Sequence, residues 1–163
     1  MCAEDRKVKI PKWAQVLVPA SACNVGRANL VRTLKRVSFE DQTDVVYYTQ
    51  LLAAINIQTP NNFDIWARIG FIQFLITIPA SEREELIQQA SRLLTADMNN
   101  MCQDIVFKTL ARVKGGDREK FVNEARMFIA THAHEFAPMS AVDRTDVVTI
   151  LARSQRYSKG EPK

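Results

Sequence analysis

The 163-residue sequence has no apolar run long enough to cross a membrane. Its densest apolar stretch, residues 63–78, contains Asp64 and Arg68 and is too short for a span. The run Val16–Val18 is too short for the core of a secretory signal, and Cys2 stands where myristoylation requires glycine. The sequence therefore predicts no membrane span, no secretion signal and no N-myristoyl anchor.

Cysteine is also scarce. The three cysteines, Cys2, Cys23 and Cys102, are odd in number and far apart in the chain. This pattern argues against a disulfide framework and for reduced thiols. We therefore expect an intracellular, reducing location, with the cytoplasm as the default.

The sequence lacks a motif for catalysis, metal binding or phosphate binding. His132 and His134 lie two residues apart on a predicted helix, so they point to different faces and are poorly placed to bind one metal. Cys102 lies among apolar helix positions and is expected to be buried and inert. Gly115-Gly116 lacks the Lys-Ser/Thr of a phosphate loop and indicates the end of a helix. No catalytic residue, metal or cofactor is assigned, and we do not expect an enzyme.

What the sequence does contain is a series of helical patterns. Capping residues precede apolar residues at helical spacing, and Gly or Pro residues interrupt the series. Residues 63–78 are predicted to form a central helix buried on most sides, with a strand as the alternative because of their β-branched and aromatic content. The predicted N-caps of the other helices are Ser38, Ser81, Asp97, Asp117 and Ser140.

These patterns predict an all-α fold, a compact helical bundle of about six or seven helices with an extended N-terminal arm. The predicted organisation is a basic arm over residues 1–25, a single helical domain over 26–157 and a flexible C-terminal tail over 158–163. The apolar residues of the arm can dock either on the body of the same chain or on a neighbouring copy. A short helical solenoid also fits the spacing, although the sequence shows no residue-level repeat.

Charge is segregated along the chain. Residues 1–37 carry a net charge of +6, residues 38–107 a net −6 and residues 108–163 a net +4. Basic ends can bind polyanions such as nucleic acid. Alternatively, the basic end of one copy can bind the acidic middle of another, or the charges can simply form solvated faces of unequal sign.

The clearest basic feature is a predicted amphipathic helix that follows the arm. Its apolar residues fall on one face, and Arg32, Lys35 and Arg36 fall on the opposite face. Trp13 and Tyr157 lie beside basic residues, where nucleic-acid bases can stack on their rings. The candidate nucleic-acid-binding residues are Arg6, Lys7, Lys9, Lys12, Arg27, Arg32, Lys35, Arg36, Arg153 and Arg156.

The leading functional hypothesis is a non-enzymatic binding or assembly protein that holds a polyanion on these basic surfaces. Single-stranded or packaged nucleic acid, including RNA, is the leading candidate, and self-association through the N-terminal arm is a second expectation. The alternative is a helical protein–protein interaction module, or adaptor, with an apolar groove. A small enzyme without a recognisable motif is the third hypothesis.

Overall fold

Helices are the regular secondary structure of the part of the chain that the structure describes. The computed structural model describes residues 8–19, 22–55 and 65–154. Within these ranges it contains seven α-helices, three short 3-10 helices and no β-strand, which confirms the all-α prediction. The α-helices are α1 (Asn24–Leu34), α2 (Gln42–Ile55), α3 (Ile65–Leu75), α4 (Ala80–Ser91), α5 (Asn100–Arg112), α6 (Arg118–Glu135) and α7 (Ala141–Ala152).

The chain divides into two compact units, Met1–Ala80 and Ser81–Lys163. The predicted single domain, residues 26–157, takes in parts of both units. It stays a prediction, as do the arm over 1–25 and the tail over 158–163. The whole of that tail, and residues 1–7 and 20–21 of the arm, lie outside the described residues.

The first unit is built around α3, which packs against both α1 and α2. Ile69, Ile72 and Leu75 are buried on α3, and Leu30 and Leu52 are buried on α1 and α2. The sequence prediction of a helix is confirmed over Ile65–Leu75. Burial does not extend around the whole of α3, as two of its side chains are exposed, Trp66 and Gln73.

One part of the predicted arm has a defined structure. Lys12–Leu17 form a 3-10 helix that packs against α2, with Ala14 and Leu17 buried. The Arg68 Nη1 atom of α3 donates a hydrogen bond to the Leu17 carbonyl oxygen at 2.6 Å. Of the two partners left open for the arm, this segment therefore docks on its own chain.

The second unit places α7 against α5 and α6. Its core includes Val106 and Leu110 of α5, Phe121 and Val122 of α6, and Val148 of α7. Their burial follows the helical spacing of apolar residues in each segment. Three side chains that share this spacing are nevertheless exposed, and they are Met101, Phe128 and Ile150.

The predicted N-caps agree only partly with the structure. Ser140 caps α7, since its hydroxyl accepts a hydrogen bond from the Asp143 amide at 3.1 Å. The prediction for Asp97 is wrong: Asn99 is the N-cap of α5 and accepts from the Cys102 amide at 2.9 Å. The prediction for Ser81 is also wrong, because α4 begins one residue earlier. Ser38 and Asp117 occupy N-cap positions, but neither side chain makes a capping hydrogen bond within the described residues.

Candidate functional site

The exposed cations of α1 form the clearest candidate site. The inward side of α1 carries the buried Leu30 and Leu34, and Arg32, Lys35 and Arg36 are all exposed. Arg32 lies in the last turn of α1, Lys35 is its C-cap, and Arg36 follows with its amide bonded to the Thr33 carbonyl at 3.0 Å, so the three cations are clustered at the C-terminal end of α1. The amphipathic arrangement predicted for these three cations is therefore present in the fold.

Asn29 holds the Arg32 side chain in place on the helix surface. The Arg32 Nη2 atom donates to Asn29 Oδ1 at 2.8 Å, and Asn29 Nδ2 in turn donates to the Val25 carbonyl oxygen at 3.0 Å. A guanidinium group has five N–H donors, so this contact leaves others for an anion. These hydrogen bonds already restrict the Arg32 side chain. Binding an anion therefore costs it less conformational entropy.

No carboxylate among the described residues forms an ion pair with Arg32, Lys35 or Arg36. The sequence explains this, since residues 6–39 contain eight Lys and Arg residues and no Asp or Glu. Like charges four apart on a helix cost about 0.2–0.5 kcal/mol. An anion that binds between Arg32 and Arg36 would remove this repulsion.

Several arginines of the second unit are used differently, because each contacts a carboxylate of its own unit. Arg92 contacts Glu119 at 2.6 Å, and Arg144 contacts Asp97. The hydrogen bond from Arg92 lowers the pKa of the Glu119 carboxyl and raises that of Arg92 itself. These cations are neutralised within the fold, so they are weaker candidates for binding an external anion.

Arg118 is the most buried of these paired cations. Its Nη1 atom contacts Glu82 Oε1 at 3.0 Å, and its Nε donates to the carbonyl oxygens of Leu110 and Val113, each at 3.2 Å. Carbonyl groups at the end of a helix have no partner inside the helix. Arg118 thus completes the hydrogen bonding at the C-terminal end of α5, which is a structural role.

The other candidate residues of the first unit differ in exposure. Lys9 and Lys12 are exposed at the start of the chain's 3-10 segment. Arg27 is half-buried, and its Nε atom is buried with no hydrogen-bond partner within the described ranges. Arg27 lies in the first turns of α1, whereas Arg36 follows its C-terminal end. The structure therefore groups Arg32, Lys35 and Arg36, and separates Arg27 from Arg36.

The remaining candidates lie in the second unit or outside the described residues. Arg153 is exposed at the C-cap of α7. Arg6, Lys7 and Arg156 lie outside the described residues, as does Tyr157. Trp13, the other aromatic residue proposed to stack on bases, is described and is half-buried.

The histidines do not form a metal site in the part of the chain that the structure describes, where no group of three potential ligands occurs. His132 is half-buried, its ring lies at a tilt to that of Phe136 with centroids 5.0 Å apart, and its Nδ1 atom is 3.2 Å from the Ala137 carbonyl oxygen. His134 is exposed, and Cys102 is buried as predicted. None of the described helices meets the length and apolarity needed to cross a membrane.

Two residues of the candidate site are missing from the sequence-based selection. Asn29 was detectable by its spacing, because it lies three residues before Arg32 and on the same side of the helix. Phe39 gave no such signal, since an apolar residue after a serine at a helix start is normally read as part of the core. In the structure Phe39 is 82% exposed.

Comparisons with known proteins return no relative for this chain. No protein-family model matches it, no curated protein is similar to it, and no solved structure matches it. The function proposed below is accordingly argued from the residues of the candidate site.

Proposed function

We propose that this protein is a non-enzymatic binding protein that holds a polyanion, nucleic acid in the first instance, on the exposed side of α1. The observation that carries the proposal is the group Arg32, Lys35 and Arg36, exposed together with no carboxylate of the described residues paired to them. Unpaired cations on one side of a helix are the feature that phosphate groups recognise.

The mechanism is phosphate neutralisation. Arg32 lies in the last turn of α1 and Arg36 follows its C-cap, so the two guanidinium groups are presented close together for successive phosphates of one backbone. Each guanidinium can bind one phosphate through two parallel hydrogen bonds, whereas Lys35 acts as a point charge. Such contacts position a nucleic acid without reading its sequence.

The test is binding of a fluorescein-labelled oligothymidylate, followed by fluorescence anisotropy at low salt. The variant Arg32→Gln/Lys35→Gln/Arg36→Gln should bind at least tenfold more weakly than the parent, because three phosphate contacts are lost. It should fold, since all three side chains are exposed and the apolar side of α1 is unchanged. Its free energy of unfolding should fall by no more than about 1–2 kcal/mol, which is what cations near a helix C-terminus contribute through the helix dipole.

A matched control separates the site from the net charge. The variant Lys114→Gln/Lys120→Gln/Arg126→Gln removes the same number of positive charges from three exposed positions of the second unit. It should bind the oligonucleotide about as well as the parent. Equal losses in both variants, or no binding by the parent, would contradict the proposal.

A protein-interaction module is the second candidate, favoured by exposed apolar residues in the second unit. Met127 and Phe128 are adjacent on α6 and both mainly exposed, and Phe136 follows α6 with 74% of its surface exposed. An apolar surface of this kind should bind the dye ANS in a salt-independent way. Met127→Ser/Phe128→Ser should lower the dye fluorescence, and an unchanged signal would remove this candidate.

We also propose self-association through the N-terminal arm, restricted to arm residues that are not buried in the first unit. Ile10, Ala14 and Leu17 are buried within the first unit, so they are not free to dock on another copy. The arm residues left for this role are the exposed ones, such as Val16, and those before Val8. Deletion of residues 1–7 should lower the molar mass measured by light scattering after size exclusion, and an unchanged mass would exclude these seven residues from assembly.

A further inference from the structure

Phe39 is the most exposed of the large hydrophobic side chains in the described part of the chain, with 82% of its surface accessible. It follows Arg36 by three residues, so the two backbones are at most about 11 Å apart. Lys35, Arg36 and Ser38 are exposed as well, whereas Val37 between them is buried. The segment therefore displays an exposed aromatic ring within four residues of two exposed cations that no carboxylate of the described residues pairs.

The backbone that carries Phe39 is held at several points. The Arg36 amide donates to the Thr33 carbonyl and the Val37 amide to the Leu34 carbonyl, both at 3.0 Å. Phe39 begins a 3-10 helix, Phe39–Asp41, which is closed by a hydrogen bond from the Asp41 amide to the Ser38 carbonyl at 3.0 Å. A ring on a fixed turn loses little conformational freedom when it binds a flat partner.

We infer that Phe39 is a stacking platform for a base of a single-stranded nucleic acid whose phosphates contact Lys35 and Arg36. This inference rests on the proposed function and specifies its ligand. Exposed bases stack on aromatic side chains in a sequence-tolerant way, and basic residues beside the ring hold the backbone. In a duplex the faces of the bases are covered by their neighbours, so the ring gains nothing there.

The acidic residue after Phe39 limits the surface on which a nucleic-acid strand can bind. Glu40 is exposed and directly follows the ring, and its carboxylate repels phosphates. The strand should therefore extend from Phe39 back along α1. Glu40→Gln should accordingly strengthen binding of the strand to a small extent.

The experiment compares Phe39→Ala, Phe39→Trp and the parent in binding to a labelled oligothymidylate and to a labelled duplex. Phe39→Ala should weaken single-strand binding about tenfold, while its salt dependence and its duplex binding stay as in the parent. Phe39→Trp should retain the parent's affinity or exceed it. The control Phe136→Ala removes a similarly exposed ring from the second unit and should have no effect.

The outcomes separate this inference from the proposed function. If the parent binds the oligonucleotide and Phe39→Ala binds it equally well, the stacking role is overturned and the role of the α1 cations stands. An equal loss for single strand and duplex also overturns stacking. If the parent binds neither nucleic acid, the proposed function fails and this inference fails with it. Circular dichroism of each variant confirms that the fold is retained.

Discussion

Gly26 of α1 lies directly against Ile65 of α3, so close that a Cβ atom at position 26 would come within 2.9 Å of Ile65 Cγ2. The close approach is possible because glycine has no side chain. It brings the buried side of α1 against α3 and leaves Arg32 and Arg36 on the solvent side. The position of the candidate site thus depends on a residue that carries no charge.

The first prediction concerns this contact. Gly26→Ala should destabilise the protein by about 1–3 kcal/mol, because the added methyl group overpacks a helix–helix contact. Gly70→Ala is the matched control in α3, where nothing lies within 4 Å of the added atom. Since alanine favours helix, this control should be neutral or stabilising by up to about 1 kcal/mol. Urea denaturation measures both, and equal stabilities would show that the contact is not tight.

The second prediction concerns the segment that precedes α1. Leu17 is 1% exposed, and Leu17→Ala should cost about 2–5 kcal/mol through lost burial and a cavity. Val16 is 59% exposed, so Val16→Ala should change the free energy of unfolding by less than about 0.5 kcal/mol. Similar small effects of both changes would indicate that this segment is separable from the first unit.

The third prediction concerns Arg118. Arg118→Met should cost about 2–5 kcal/mol, since it removes a buried donor from the Val113 carbonyl and leaves Leu110 with the Val113 amide. The Glu82 side chain is 39% exposed, so Glu82→Gln should cost less than about 1 kcal/mol. Thermal denaturation of the two variants compares them. A larger loss from Glu82→Gln would mean that the ion pair, and not the hydrogen bonds to α5, is the main contribution.

The fourth prediction concerns acid. The hydrogen bond from the Thr95 hydroxyl, at 2.6 Å, and then that from Arg144 lower the pKa of the Asp97 carboxyl. A carboxyl with a lowered pKa stabilises the fold above about pH 4, and this contribution is lost as the pH falls through the folded-state pKa. The stability difference between parent and Asp97→Asn should therefore shrink below about pH 4. Thr95→Val should raise the pKa of Asp97 in an NMR titration, and no change would contradict the assigned cause.

Helical spacing was sufficient to predict the fold class and the exposed cations of α1. The same rule failed at Met101 and Phe128, since spacing identifies the face of a helix but not whether another helix covers it. The cap prediction failed at Asp97 because its carboxylate is bound by Arg144, a residue distant in the chain. Such tertiary partners leave no local trace in a sequence.

The sequence predicted only part of the candidate site, because the rest depends on tertiary structure. The exposure of Arg32, Lys35 and Arg36 followed from α1 alone, but their lack of ion pairs within the described residues depends on the neighbouring elements. The exposure of Phe39 depends on the turn between α1 and α2, where a buried Val37 leaves the next apolar residue outside. The sequence alone does not show that Val37 is the buried residue and Phe39 the exposed one.

The central claim is that the α1 cations hold phosphates, and the salt dependence of oligonucleotide binding tests it most directly. In a single strand each neutralised phosphate contributes about 0.7 unit to the slope of log affinity against log salt concentration. The slope of Arg32→Gln/Lys35→Gln/Arg36→Gln should therefore be about two units shallower than that of the parent. The slope of the control Lys114→Gln/Lys120→Gln/Arg126→Gln should equal the parent's. A slope in the α1 variant as steep as the parent's, or no binding by the parent, would contradict the account.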